Sequence, residues 1–143
     1  LFCMGDTKII SRLIDGVFPE YGGIVPKDFG TTSIMSRNEI KDSIRTSGIF
    51  SSKLQDVILR FQESHVEISS ENQEVGEYRT KVPSSFSGNP VTVHFNYRYV
   101  LDGLNALHED EIFFGCTNEN APALLRNKSD NSFIYVVMPI RAA

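Results

Sequence analysis

The sequence of 143 residues contains no tryptophan and only two cysteines. Cys3 and Cys116 are far apart, and each lies in a run of residues typical of a strand, so a disulfide framework is not supported. A reduced, cytoplasmic chain is the simpler interpretation. No apolar stretch is long enough to span a bilayer and no signal peptide is visible, so the sequence indicates no membrane partner.

Recognisable catalytic and metal-binding patterns are also missing. The histidines His65, His94 and His108 are scattered, and none has a metal-ligand spacing such as HExxH. No cysteine pair has zinc spacing, and Gly22-Gly23 is not followed by the lysine and helix of a phosphate-binding loop. Each histidine is better explained as a structural or surface residue. The sequence therefore contains nothing that indicates an enzyme, a metal site or a cofactor.

The composition that is present describes one globular domain. Hydrophobic residues make up 41% of the chain and charged residues 22%, a balance that supports a packed core. The net charge of −4 argues against a protein that grips nucleic acid with its whole surface, although it leaves room for a local basic stripe. The chain starts at Leu1 inside an apolar run, which suggests the C-terminal piece of a longer protein.

Hydrophobic spacing predicts a regular order of elements after a hairpin in residues 1–14 and a Pro- and Gly-rich crossing in residues 18–26. Ser36 and Asn96 are the expected helix N-caps, with Glu39 completing a capping box. Ile40, Ile44 and Ser47 are expected to face inward. Strands are predicted at 31–36, 55–61, 65–69, 74–82, 91–95, 111–117, 123–126 and from 133 onward, helices at about 37–50 and 97–108, and a loop at 84–90.

This order contains the same unit twice. From residue 31 onward it reads strand, helix and three strands, and then strand, helix and three strands again. Such a doubled β-α-β-β-β unit buries two helices against antiparallel sheets, which gives an α+β domain with internal pseudo-symmetry.

Two features outside the core pattern suggest contact surfaces. Arg37, Lys41 and Arg45 are spaced four apart on the first helix and are expected to form a basic stripe opposite its apolar side. That stripe is either a solvated face or a surface for phosphates. Arg98 lies on a mixed face of the second helix.

The final run from Phe133 ends in Met138-Pro139-Ile140, an apolar tip of the kind that adaptable docking surfaces use.

The strand that carries Glu71, Glu74 and Glu77 is polar on both faces, so we expect it at a sheet edge, where charge blocks unwanted pairing. The functional alternative is an edge that pairs with a basic edge of a partner. Ile49-Phe50 would suit a subunit interface if it is exposed, and ordinary core if it is not.

Three motifs in order give the chain a family resemblance: residues 8–16 leading into Phe18-Pro19-Glu20-Tyr21, residues 95–104, and Tyr135-Val136-Val137-Met138-Pro139-Ile140-Arg141. Together they resemble the C-terminal third of the bacterial DNA polymerase III β subunit, the sliding clamp. The resemblance covers essentially the whole chain.

The resemblance implies a non-catalytic clamp subunit of a DNA polymerase holoenzyme. Members of this family are head-to-tail homodimeric rings of three-domain subunits, with helices lining the hole around duplex DNA. Residues 1–25 would be the end of the middle domain and the crossing, and residues 26–143 the third domain. Polymerase subunits, clamp loader and repair proteins would dock through linear motifs. A fragment of this extent would be monomeric and could not encircle DNA.

The resemblance also implies three sets of functional residues. The peptide-binding pocket would comprise Pro19, Gly23, Ile24, Leu54, Asn96, Tyr99, Asn120, Pro122, Val136, Val137, Met138, Pro139, Ile140 and Arg141. The DNA-facing residues would be Arg37, Lys41, Arg45 and Arg98. The dimer interface would include Ile49, Phe50, Glu74 and Glu77. Gly22-Gly23 departs from the commoner family pattern of larger or basic residues, which predicts a pocket rim with its own preferences.

A different class of function also fits the elements alone. An α+β protein-interaction module, or an enzyme subdomain unrelated to DNA, could use an unrelated cleft and would form no ring.

Overall fold

The structure, a computed structural model, describes residues 1–140. The strands are β1 Phe2–Met4, β2 Thr7–Ile9, β3 Thr31–Ser36, β4 Asp56–Gln62, β5 His65–Asn72, β6 Gly76–Gly88, β7 Val91–Asn96, β8 Glu111–Cys116, β9 Ala123–Asn127 and β10 Ile134–Val137. The helices are α1 Arg37–Ser47 and α2 Tyr97–Ala106, and Tyr21–Gly23 and Gly48–Phe50 form short 3-10 turns. The predicted α+β class and the doubled strand-helix-three-strand order are confirmed.

Both helices begin at the predicted N-caps. Ser36 Oγ accepts a hydrogen bond from the Glu39 backbone N–H at 3.3 Å, and Asn96 Oδ1 accepts one from the Arg98 N–H at 3.0 Å. These bonds satisfy amide groups that a helix start leaves without an intrahelical partner. Helix α1 ends at Ser47, three residues earlier than predicted, because the chain tightens there into the 3-10 turn.

The described residues form one eight-stranded sheet in the order β10-β9-β8-β3-β6-β5-β4-β7, in which every neighbouring pair is antiparallel. Strand β6 joins the two halves of this sheet. Its residues 76–83 pair with β5 and its residues 84–88 with β3. The predicted loop at 84–90 was wrong, because pairing with β3 extends a segment whose Ser, Gly and Pro content resembles a loop.

The core lies between the sheet and the two helices. Ile40, Ile44 and Ser47 of α1 are buried, as predicted. Three rings pack at the centre: Phe114 lies 4.6 Å from Phe61 and 5.9 Å from Phe95 between ring centroids. This aromatic cluster joins the two halves of the sheet, because Phe61 and Phe95 belong to β4 and β7 and Phe114 to β8.

The two helices run antiparallel. At one end, the Arg37 backbone N–H donates to Asp110 O at 2.8 Å, just beyond the end of α2. At the other end, Gly48 lies so close to the Tyr97 ring that an added Cβ would be 2.7 Å from it. Neither helix within residues 1–140 is long and apolar enough to cross a membrane.

The N-terminal hairpin differs from the rest of the fold. Strands β1 and β2 pair only with each other, from Phe2 opposite Ile9 to Met4 opposite Thr7. The second strand, β2, ends at Ile9, whereas the predicted hairpin extends to residue 14. All of residues 1–20 are exposed.

Candidate docking groove and charged faces

The end of the crossing and the residues that follow it, 21–29, pack on the outer face of β8, β9 and β10. The Phe29 ring contacts the Phe113 ring edge-on at 5.4 Å, and a Cβ at Gly115 would lie 2.6 Å from Phe29 Cδ1. Thr117 Oγ1 donates to Asp28 O at 2.9 Å. Leu124 points outward from β9, yet it is only 5% exposed. A glycine on the strand therefore admits the ring that fixes the crossing to the sheet.

Two clefts flank this crossing. One, of about 330 Å³, is lined by Tyr21, Ile24, Val25, Ile134 and Val136. The other, of about 500 Å³, is lined by residues 22–28 together with Thr117 and Pro122. Ile24 and Val25 line both clefts, and the two clefts together are here called the docking groove. Its walls are mostly apolar, and peptide backbone and the side chains of Lys27 and Asp28 supply polar groups.

The docking groove brings together four residues of the predicted pocket: Gly23, Ile24, Pro122 and Val136. Sequence reasoning missed the other lining residues, which are Tyr21, Val25 and Ile134 in the smaller cleft and Gly22, residues 25–28 and Thr117 in the larger one. Ile134 could have been found from strand alternation, because it lies two residues before Val136 and therefore on the same face.

The remaining pocket residues lie elsewhere or act differently. Val137 alternates to the opposite face of β10 and is 3% exposed in the core, so its side chain does not line the groove, contrary to the prediction. Pro19 lines a separate cleft with residues 14–18. Met138 is 56% exposed, and Pro139 and Ile140 are half-buried. Arg141 lies outside the described residues.

Leu54, Asn96 and Tyr99 cluster near the start of α2. The Tyr97 N–H donates to Gln55 O at 2.9 Å, which places the exposed Leu54 beside this helix start. Tyr99 is exposed. It lies near Tyr135, whose pKa is raised by burial and by the neighbouring Asp102 and Tyr99. Asn120 is on an exposed turn, where its N–H donates to Asn118 Oδ1 at 2.9 Å.

The basic stripe of α1 does not lie opposite its apolar side, contrary to the prediction. Arg37 and Lys41 are half-buried because each lies three residues before a buried isoleucine, Ile40 or Ile44, and is therefore only about 60° from it around the helix. Arg37 Nε donates to Glu109 O at 2.9 Å. Arg45 is exposed, but its Nη1 lies 3.4 Å from Asp42 Oδ1. The stripe therefore flanks the buried face.

Arg98 shares an exposed face of α2 with Asp102 and Asn105, so this face is mixed, as predicted. Arg98 Nε donates to Tyr97 Oη at 3.4 Å, and this hydrogen bond raises the pKa of Arg98 above its usual value. The guanidinium group also lies 5.9 Å from the centroid of the Tyr97 ring. Arg98 therefore stays charged and is held near the helix start.

A free strand edge adjoins the Gly48–Phe50 turn. Among the described residues, the segment 76–83 of β6 pairs with β5 on one side and with no strand on the other. The Phe50 ring stacks on the Tyr78 ring at 5.9 Å, and Ile49 is 67% exposed. Glu77 is exposed on β6, whereas Glu74 belongs to the preceding turn. The edge also carries Arg79 and Lys81, so it is not purely acidic.

Cys116 is a buried structural residue and not a reactive thiol. Burial raises the pKa of Cys116 to about 11, so this thiol stays protonated. Both cysteines are free. In the part of the chain that the structure describes, no cluster of His, Cys, Asp and Glu side chains could hold a metal ion.

Comparison with known proteins gives a consistent result. Residues 23–141 match the family described as the DNA polymerase III beta subunit, C-terminal domain. The beta sliding clamp of Vibrio cholerae is 34% identical over 132 residues, which are 92% of this chain and 36% of that protein. The chain therefore spans about a third of that relative's length.

Solved structures show the same similarity. The DNA polymerase III beta subunit of Thermotoga maritima superposes with a TM-score of 0.88 at 26% identity, covering 92% of this chain and 36% of that one. A Pseudomonas aeruginosa sliding clamp bound to griselimycin superposes with a TM-score of 0.87 at 26% identity, with the same coverage.

Proposed function

This chain belongs to the DNA polymerase III beta subunit family, whose C-terminal domain it matches, and from that premise we propose that it is part of a sliding clamp. Such a clamp is a non-catalytic ring that holds a DNA polymerase on duplex DNA in the cytoplasm. The docking groove beside the crossing carries this proposal, because it offers a concave apolar surface where a partner protein could attach.

Within that clamp, residues 26–143 form the third domain, and residues 1–25 are the end of the middle domain with the crossing. Two observations support this boundary. Residues 1–20 are exposed throughout, and the family match begins at residue 23. The exposed apolar side chains of the hairpin would then pack against the rest of the middle domain.

The docking groove would receive short linear segments of polymerase subunits, the clamp loader and repair proteins. Ile24, Val25 and Val136 would supply apolar contact area, and exposed backbone would orient the segment. Met138 would extend the groove, because it lies directly after the end of β10, two residues beyond Val136, and its side chain is exposed. Its flexible thioether suits partners of differing shape.

The exposed faces of α1 and α2 would line the hole. These helices carry four basic residues, Arg37, Lys41, Arg45 and Arg98, and three acidic ones, Glu39, Asp42 and Asp102. Contact with duplex DNA would therefore be weak, directed at backbone phosphates and independent of sequence. Weak screened contacts suit a ring that slides, because they fix no register.

The free edge of β6 would form the subunit interface of a homodimeric ring. The unpaired backbone at residues 76–83 would extend the sheet across the interface. Ile49, exposed beside Phe50, would add apolar contact. Glu77, Arg79 and Lys81 alternate along this edge, so a complementary partner edge would carry charges of both signs.

Griselimycin is a suitable probe, because it is bound in the Pseudomonas aeruginosa clamp structure. Calorimetric titration of the 143-residue chain should detect binding, and Val136→Glu should weaken it at least tenfold by placing a charge in the groove. Leu13→Glu adds the same charge at a side chain that is 90% exposed outside the groove, and should bind like the wild type.

Equal losses in the two variants would show that added charge, not the groove, controls binding. No binding by the wild-type chain, or full binding by Val136→Glu, would contradict the groove assignment.

A further inference from the structure

The segment after β10 occupies the place that the second half of β6 occupies in the first repeat. Val82 and Val137 are equivalent buried valines, because each lies in the third strand after the helix of its repeat and pairs with the second, β5 or β9. Three residues after Val82, Ser85 pairs with Ile34 of β3. Three residues after Val137, the Ile140 N–H donates to His94 O of β7 at 2.8 Å.

Ile34 and His94 are both fourth in their strands, so the two pairings match in position. The bond at Ile140 is therefore the counterpart of the ladder between β6 and β3. It also ties the segment that follows β10 to β7, and β10 and β7 are the two outer strands of the sheet. The residues between the strand end and this bond are Met138 and Pro139.

The inner face of β10 is fixed by α2. The Tyr135 ring lies directly on Gly103, where an added Cβ would be 2.5 Å from Tyr135 Cδ1. Gly103 is buried in the middle of α2, where glycine costs helix stability relative to alanine. Because Tyr135 and Val136 are adjacent in one strand, the contact on the inner face sets how far Val136 projects on the outer face.

We propose that Gly103 and the carbonyl of His94 position the partner-binding edge of the docking groove, Val136 and Met138, from behind the sheet. Gly103 sets the distance of β10 from α2 through its contact with Tyr135. The bond from the Ile140 N–H to His94 O fixes the path of residues 138–140, here called the tail. This inference rests on the proposed function, since it assigns positioning residues to the same groove.

The first test compares Gly103→Ala with Asn105→Ala in griselimycin titrations of the 143-residue chain. The methyl group at 103 should push Tyr135 and β10 outward and weaken binding at least fivefold. Asn105 is exposed on the same helix, so its replacement should leave binding unchanged. In Gly103→Ala/Tyr135→Val the smaller side chain removes the clash, and affinity should return to within twofold of the wild type.

Recovery of affinity without recovery of the melting temperature would separate positioning from stability. Wild-type affinity in Gly103→Ala, or failure of the double variant to recover, would overturn the role of this contact.

The second test removes the tail bond and serves even if Gly103→Ala does not fold. Ile140→Pro deletes the N–H donor, and binding should fall about fivefold, the factor expected for one net hydrogen bond. Asn105→Ala lies outside the groove and should bind like the wild type. Equal binding by Ile140→Pro and Asn105→Ala would overturn the proposal, whereas loss confined to Val136→Glu would leave the groove assignment standing.

Discussion

Residues 1–20 leave their apolar side chains exposed to solvent, whereas residues 31–137 bury most of theirs. Leu13, Ile14 and Val17 are each at least 90% exposed. In contrast, Ile44, Val57 and Val66 are fully buried. The hairpin in the first region has no second layer to pack against, while every strand from β3 to β9 faces helices or another strand's side chains. Apolar character therefore does not bury a segment unless a partner layer is present.

The largest effect on stability should come from a substitution in the buried core of residues 31–137. Phe61→Ala removes a ring that is 1% exposed and packed on Phe114. We expect a loss of about 3–5 kcal/mol in the free energy of unfolding, because a cavity remains among fixed neighbours. Urea denaturation measures it. Leu13→Ala, a deletion of similar chemistry in the exposed region, should change stability by less than about 0.5 kcal/mol. Comparable losses in the two variants would remove the distinction.

A smaller effect should come from the one ion pair of the described residues that is largely shielded from solvent. Arg60 Nη1 lies 2.6 Å from Glu67 Oε1. This hydrogen bond, helped by Arg79 and Lys81, lowers the pKa of Glu67 below 4.5. A lowered pKa in the folded state adds stability above the unfolded value and loses it as pH falls through the folded value.

Glu67→Gln should therefore cost at most about 1 kcal/mol at pH 7 and flatten the fall in stability below about pH 4.5. Denaturation curves between pH 2 and 7 test this, with Glu63→Gln at the neighbouring exposed turn as the control. Equal pH dependence in both variants would show that the pair contributes nothing.

The smallest effect on stability should come from removing residues 1–17. Because these residues are exposed and pair only with each other, the free energy of unfolding of the remainder should change by less than about 0.5 kcal/mol. Binding of a hydrophobic dye such as ANS should fall, since the exposed apolar side chains are lost. A drop of several degrees in Tm would mean that the hairpin stabilises the domain.

Most of the fold could be predicted because its signals are local. Ser36 and Asn96 carry cap chemistry, and Val57, Leu59 and Phe61 alternate as a half-buried strand should. Residues 84–88 could not be placed, because their strand conformation depends on pairing with β3, which is distant in sequence. Local composition there favours a loop, and tertiary pairing overrides it.

The docking groove was harder to predict than the fold. Ile24 and Val136 came from the family resemblance, but their meeting depends on Phe29 and Gly115 fixing the crossing to the sheet. Nothing in the spacing of these residues indicates that contact. The burial of Val137, in contrast, follows from alternation with Val136 and could have been stated at once.

Gly22 and Gly23 at the rim of the groove illustrate how recognition and folding can be separated in evolution. An added Cβ at either position meets no atom within 4 Å, and neither residue has a positive φ. A side chain can therefore be added at either position without a clash in the core. By contrast, Gly103 and Gly115 are constrained by the rings packed on them. Substitution of Gly22 or Gly23 would change the rim of the groove, whereas substitution of Gly103 or Gly115 would disturb the packing of the sheet.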